Sequence, residues 1–147
     1  MAKYCIENLI DKIGDIDYEL LILDQDSKDL RVIEWGRNQK KSFHIASETN
    51  VGIAAGYNQL LKRAKGDHIC FLSNDLIVGD KWLFDLIYYS NHIDKSGLVS
   101  IHAEGEKGTF GPLLNHEDSF TNVWKPTKNV TSGISLINRA ALDAVGN

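Results

Sequence analysis

Short apolar runs alternate with segments of helical periodicity along this chain, and this alternation restricts the fold more than any other feature. The runs YELLIL at residues 18–23 and HICFL at residues 68–72 are almost continuously apolar, as strands buried on both faces are. Between them, residues 53–64 carry an apolar stripe at helical spacing. The pattern therefore predicts an α/β fold with a mostly parallel sheet and helices on both faces.

The other segments extend the same alternation. Gly14 ends the first helical pattern, Asp80 is predicted to cap the start of a later helix, and Gly66 the end of the helix over residues 53–64. Residues 30–41 fit neither pattern clearly. The remaining predicted elements are helices over residues 5–13, 82–93 and 139–145, and strands over residues 43–46, 97–103 and 132–137.

Composition narrows the class of protein. With 147 residues, 43% of them hydrophobic, the chain has enough apolar surface for one domain. The net charge of −4 argues against a nucleic-acid-binding surface. No apolar run reaches the roughly 18 residues that span a bilayer, and the first residues lack the pattern of a signal peptide, so we expect a cytoplasmic protein. Cys5 and Cys70 fall on apolar faces and are predicted to be reduced core thiols.

Two polar clusters follow predicted strands, at residues 24–29 and 73–75. Ligands in open α/β sheets bind beyond the carboxyl ends of the strands, where both clusters would lie. Carboxylates there cost desolvation energy unless they cap a helix, bind a donor-rich ligand or hold a metal. A loop-capping role for Asp24 or Asp75 stays open on either residue alone. Two clusters on one edge, with the glycine-containing start of a helix between them, favour a binding site.

Several other kinds of site are excluded by their motifs. The sequence has no phosphate loop of the form Gly-x-x-x-x-Gly-Lys, and Gly52 and Gly56 have the wrong spacing for a dinucleotide fingerprint. It has no Gly-x-Ser-x-Gly elbow, and its five histidines are scattered without the spacing of metal ligands. The binding-site hypothesis therefore depends on the two polar clusters.

Five short motifs follow one another along the chain. They are Asp-x-x-Ser-x-Asp at residues 24–29, Asn-x-Gly at residues 50–52 with Asn58 in the next helix, Gly66-Asp67, Ser73-Asn74-Asp75, and a Gly-x-x-x-x-x-Arg strand at residues 133–139 followed by Val145-Gly146. In this order of motifs the chain resembles family 2 glycosyltransferases with the GT-A fold, from about residue 18 to residue 146. Each motif is weak alone, and their common order carries the resemblance.

The resemblance implies a GT-A fold and the transfer of a sugar from a nucleotide diphosphate to an acceptor hydroxyl. By resemblance, Asp24 would accept a hydrogen bond from the base, so that the donor would be a UDP- or dTDP-sugar. Asp75 would coordinate Mg²⁺ or Mn²⁺ between the two phosphates, since hard divalent cations bind oxygen ligands and substrate phosphates. The acceptor is unknown. The nucleotide-binding residues implied are Asp24, Asp26, Ser27, Asn50, Gly52, Asn58 and Asn74.

The sequence departs from the family pattern in three places. The family opens with an apolar strand that lies centrally in its sheet, whereas the residues before position 18 are predicted to be helical. Ser73 replaces the first carboxylate of the metal motif, so that Asp75 would be the one protein carboxylate on the metal. The family's general base follows a Val-Gly-x-Phe-Asp segment, just before which the chain stops. Glu117 and Asp118 lie too early in the chain to replace it, and no catalytic residue is assigned.

We therefore expect residues 1–147 to form a single, partial GT-A domain that lacks its first strand and is truncated at both ends. Its sheet would form by direct pairing of the strands at residues 18–23 and 68–72, or with a strand from a second copy in a homodimer. The alternative function is a non-catalytic module that binds a nucleotide or only a partner. A nucleotidylyltransferase is disfavoured, since its Gly-x-Gly-x-Arg opening is absent. Attachment to the membrane periphery through a lipid acceptor is compatible with such a family.

Overall fold

Helices and strands alternate along most of the described part of the chain, as the apolar pattern predicts. The computed structural model describes residues 2–93, 96–100 and 133–145. In chain order the elements of these residues are α1 Ala2–Asp11, β1 Leu20–Gln25, α2 Leu30–Arg37, β2 Ser42–Ser47, α3 Ile53–Leu61, β3 His68–Leu72, α4 Trp82–His92, β4 Leu98–Ser100, β5 Ile134–Asn138 and α5 Arg139–Val145. The α/β class is therefore confirmed, and the segment that fitted neither pattern contains α2.

The described strands form two small sheets, so the prediction of one mostly parallel sheet is wrong for this part of the chain. β1 and β2 pair in parallel, with Leu20 opposite Ser42. β5 pairs antiparallel with both β3 and β4, which gives the second sheet the order β3–β5–β4. An apolar run between two layers reads the same in either direction. The sequence could therefore predict that these segments are strands without predicting the direction of β5.

The main core lies between the antiparallel sheet and two helices, α1 and α4. Cys5 and Leu9 of α1 pack with Trp82 and Leu86 of α4 against Leu136, which is fully buried in β5. The Trp82 indole N–H donates to the backbone oxygen of Leu9 at 3.3 Å, so this buried polar atom is hydrogen-bonded. Among the residues that the structure describes, no helix is long and apolar enough to cross a membrane.

β1 and β3 run in the same direction, and their carboxyl ends lie at one edge of the fold. Just before β1, the Glu19 carboxylate accepts a hydrogen bond from the backbone N–H of Lys65, which precedes β3, at 2.5 Å. Towards the other ends, α3 contacts both strands. Gly56 packs on β1, and the Tyr57 hydroxyl donates to the backbone oxygen of Leu72 at 3.5 Å. The polar residues that follow the two strands are therefore displayed on the same side of the molecule.

β1 and β3 nevertheless do not pair with each other. Within the described residues, β1 is hydrogen-bonded only to β2, and β3 only to β5, so each has one edge without a strand partner. The four apolar residues at positions 20–23 are half-buried, which corrects the expectation of a strand buried on both faces. Direct pairing of β1 with β3, one of the two expected ways to complete the sheet, is therefore not what this part of the structure shows.

Two predicted helix caps are wrong. α3 ends at Leu61, and Gly66 does not adopt the left-handed conformation of a helix-ending glycine. α4 is preceded by Lys81, whose φ of 64° is unusual for a residue with a side chain. Asp80 does not cap this helix. Its carboxylate forms an ion pair with Lys12 instead, in which Lys12 Nζ and Asp80 Oδ1 are 2.8 Å apart. The side chain that resembles a cap therefore ties the α4 start to the turn after α1.

Candidate functional site

Asp24 lies near the carboxyl end of β1 and is buried, with 8% of its surface exposed. Its Oδ1 accepts a hydrogen bond from the backbone N–H of Ser27 at 2.9 Å, which closes a short turn after the strand. Its Oδ2 is buried and has no hydrogen-bond partner in the described part of the chain. A buried polar atom without a partner costs about 1–3 kcal/mol, which a ligand with a hydrogen-bond donor would offset.

The rest of this turn is stabilised by local ion pairs. Asp26 adopts a positive φ of 66° and its carboxylate pairs with Lys28. Asp29 caps α2 by accepting a hydrogen bond from the Arg31 N–H at 3.0 Å, and it also binds the Arg31 guanidinium at 2.6 Å. These hydrogen bonds from Arg31 hold the pKa of Asp29 below its ordinary value. The last carboxylate of the motif is therefore engaged in helix capping.

The segment that leads into α3 is fixed by side chains at both ends. The Asn50 amide oxygen accepts a hydrogen bond from the Gly52 N–H at 2.9 Å, and Gly52 has a φ of 83°, which favours glycine. The Val51 N–H donates to the side-chain oxygen of Gln25, the last residue of β1, at 3.0 Å. Asn50 and Gly52, both predicted site residues, are therefore held beside the carboxyl end of β1.

Gln25 is the residue that motif analysis missed in this segment. It follows Asp24 directly, and motif comparison treats its position as variable. A signal was available, because side chains alternate across a strand. Gln25 lies two residues after Leu23 and therefore shares its face, so a polar side chain at this point ends the apolar face that α3 covers.

Asn74 and Asp75 follow β3 and are both exposed. The exposed Asp75 carboxylate is accessible to a ligand from solvent. Cys5 of α1 lies beside this turn, with its Sγ 3.6 Å from the backbone oxygen of Ser73. Burial raises the pKa of the Cys5 thiol, and the negative charge of Asp75 adds to the rise in pKa. The turn therefore presents an exposed carboxylate near a thiol that burial keeps neutral.

α3 connects the two strand ends. A Cβ on Gly56 would lie 2.9 Å from Leu23 Cδ2 of β1, while the neighbouring Tyr57 ring packs edge-on against Phe71 of β3, with centroids 5.0 Å apart. Asn58 follows on the same helix and is exposed. The structure thus brings the turn after β1, the start of α3 and the turn after β3 to one edge. No group of three or more His, Cys, Asp or Glu side chains in the described ranges is placed to hold a metal ion.

The remaining candidates lie elsewhere. Glu117 and Asp118 fall outside the described residues. Arg139 donates from its guanidinium to the backbone oxygens of Ala64 and Gly66 at 2.8 and 2.9 Å, and so holds the turn after α3. The same arginine borders an open cavity of about 450 Å³ that also contacts His68, at the start of β3. This cavity is at the end of β3 opposite to Asp75, and its arginine is already engaged by backbone oxygens.

The family model described as "Glycosyl transferase family 2" matches residues 1–146. The chain belongs to this family. Membership supports glycosyl transfer in general and implies the GT-A fold, and it agrees with the order of the five motifs. No curated protein and no solved structure matches the chain significantly. The roles of the individual residues at this edge are therefore argued from their geometry.

Proposed function

We propose that this family 2 domain binds a nucleotide-diphosphate sugar at the edge formed by the ends of β1 and β3, and transfers the sugar to an acceptor hydroxyl. The observation that carries the proposal is the buried Oδ2 of Asp24, which lacks a hydrogen-bond partner within the described residues. A buried polar atom without a partner requires an explanation, and a ligand that supplies the missing donor is one. A carboxylate accepts hydrogen bonds only, so the ligand group that faces it must be a donor.

A uracil or thymine base meets this requirement through its imide N–H. We therefore assign Asp24 to the base of a UDP- or dTDP-sugar, with Asp26 and Ser27 in the adjoining turn. The exposed polar groups around the edge would complete the nucleotide pocket. These are Asn50, Gly52, Asn58 and Asn74. Support comes from the hydrogen bond between the Val51 N–H and Gln25, which holds the Asn50–Gly52 segment beside the end of β1.

Asp75 is the proposed ligand of Mg²⁺ or Mn²⁺. Its carboxylate is exposed, and oxygen ligands suit both ions. One carboxylate and the neighbouring Asn74 amide fit a cation that the protein holds jointly with the donor diphosphate, and do not fit a cation held by protein alone. The bound ion would supply charge stabilisation for the departing nucleoside diphosphate.

Transfer also needs a group that removes the proton from the acceptor hydroxyl. We assign no residue to this role. The proposal does not define the acceptor, and it accommodates a membrane lipid. A cytoplasmic location stays a prediction. The competing proposal is a non-catalytic module that binds a nucleotide or only a partner, and titration with UDP separates the two as far as donor recognition.

The homodimer is a second part of the proposal. β1 and β3 each have an edge without a partner in the described ranges, and the apolar residues of β1 are half-buried. A strand from a second copy would hydrogen-bond such edges and cover the apolar side chains. Light scattering that finds a strict monomer at all concentrations would remove this part without affecting the donor site.

Titration calorimetry of UDP with and without Mn²⁺ tests the donor site. We expect Mn²⁺-dependent binding, and we expect Asp75→Ala to lose at least tenfold in affinity with Mn²⁺ while changing little without it. Asp67→Ala is the matched control, because Asp67 is an exposed carboxylate at the opposite end of β3. Binding that Asp67→Ala weakens as much as Asp75→Ala would overturn the assignment of the metal. No binding of UDP under any condition would leave the non-catalytic partner-binding module.

A further inference from the structure

The side chain of Gln25 makes one hydrogen bond just before α3 and lies beside the first turn of that helix. Its oxygen accepts the Val51 N–H at 3.0 Å, just before the helix begins. Its amide nitrogen would lie 3.4 Å from a Cβ placed on Gly56, one turn into the helix. Gly56 is buried, and its missing side chain is what lets the helix approach β1 this closely. One side chain therefore bonds to the segment before α3 and occupies the space beside Gly56.

The Gln25 contact lies directly beside Asp24 in the sequence of β1, which links it to the candidate site. Asp24 and Gln25 are successive residues of one strand, so the backbone that places the carboxylate also places the amide. Neighbouring side chains leave a strand on opposite faces. Asp24 is therefore fixed on one face while Gln25 fixes α3 on the other, and the distance between the carboxylate and the Asn50–Gly52 segment depends on the Gln25 contact.

We propose that Gln25 is a positioning residue for donor binding, which sets the segment Asn50–Gly52 at the correct distance from Asp24. The inference rests on the proposed function, because it concerns the same nucleotide pocket. Gln25 itself need not contact the nucleotide. Its effect is preorganisation: a segment already held in its bound conformation loses less freedom when the ligand arrives.

The test replaces Gln25 by residues of similar length. Gln25→Met removes the acceptor, and we expect the affinity for UDP with Mn²⁺ to fall about five- to tenfold, as the loss of one positioning hydrogen bond would cause. Gln25→Glu keeps an acceptor for the Val51 N–H. This variant should bind uridine nearly as tightly as the wild type does, because uridine has no negative charge for the new carboxylate to repel. Gln39→Met is the control, because it removes a side-chain hydrogen bond of similar length, from the Gln39 amide to the Trp35 backbone oxygen, outside this segment.

A readout that needs no ligand accompanies the titration. Hydrogen exchange at the Val51 amide should accelerate in Gln25→Met and stay slow in Gln25→Glu and Gln39→Met. If Val51 exchange is unchanged in Gln25→Met, or if that variant binds UDP as the wild type does, the inference is overturned while the proposed function stands. If the wild type binds no UDP, the proposed function fails and the inference fails with it.

Discussion

At the scale of single residues, Asp24 combines burial with an oxygen that no described group satisfies, which is a poor arrangement for stability alone. Asp24→Asn keeps the shape and the oxygen that accepts the Ser27 N–H, and it removes the buried charge. We expect the free energy of unfolding of the unliganded protein to rise by about 1 kcal/mol while UDP affinity falls at least tenfold. Urea unfolding and titration calorimetry measure the two quantities.

Asp17→Asn is the control for this prediction. Asp17 is an exposed carboxylate paired with Lys41 at 2.8 Å, away from the candidate site, and its replacement should change neither quantity measurably. A loss of stability in Asp24→Asn together with unchanged UDP binding would identify Asp24 as a structural turn residue, which is the alternative that the sequence alone left open.

The thiol of Cys70 gives a prediction about pH. Burial in β3 raises its pKa from 9.0 to about 12. Below pH 9 the thiol is neutral in both the folded and unfolded protein, so its contribution to stability is constant. Between pH 9 and 12 the unfolded thiol ionises first, and stability should fall, by at most about 1.4 kcal/mol per pH unit from this group.

Denaturant unfolding at a series of pH values measures this decline. Cys70→Ala should show a shallower decline than the wild type above pH 9. A residual slope is expected, since burial also raises the pKa values of Cys5 and Tyr57. Identical pH profiles for the wild type and Cys70→Ala would contradict the buried, neutral thiol that the structure describes.

At the scale of secondary-structure elements, the contact of α3 with β1 decides where the candidate pocket lies. Gly56→Ala would place a methyl group 2.9 Å from Leu23 Cδ2, so either the Leu23 side chain or the helix must shift. We expect a loss of about 1–3 kcal/mol in the free energy of unfolding and several-fold weaker UDP binding. Gly79→Ala is the matched control, because a Cβ there meets nothing within 4 Å. Equal effects of the two substitutions would contradict a close α3–β1 contact.

The sequence predicted most elements because apolar periodicity is a local property. α1 and α4 bury residues at helical spacing, as expected, and the strands follow their apolar runs. The predicted Asp80 cap was wrong because a capping side chain can be taken by another partner. Asp80 looked like a helix cap, but the ammonium of Lys12 binds its carboxylate, and Lys12 is distant in sequence. The candidate site shows the same division: motifs singled out Asp24 and Asp75, whose roles stay predictions, whereas the contact of Gln25 with Val51 depends on how α3 docks.

At the scale of the whole molecule, the arrangement of the sheets was the part least accessible to sequence. Apolar runs indicate that β1 and β3 are strands, but the pairing of each strand depends on which edges meet after docking. The structure places both strands in one direction, joined at their starts by Glu19 and towards their ends by α3. The claim of a shared binding edge follows from this alignment and does not need the strands to pair.

The location of the donor site is the central claim, and amide NMR with UDP tests it directly. With Mg²⁺, UDP should shift the amide signals of Ser27, Val51 and Gly52 at the end of β1. With Mn²⁺, paramagnetic broadening should be centred on Asp75, and should leave residues at the opposite end of β3 sharp. Broadening centred instead on the cavity beside His68 and Arg139 would contradict the proposed site.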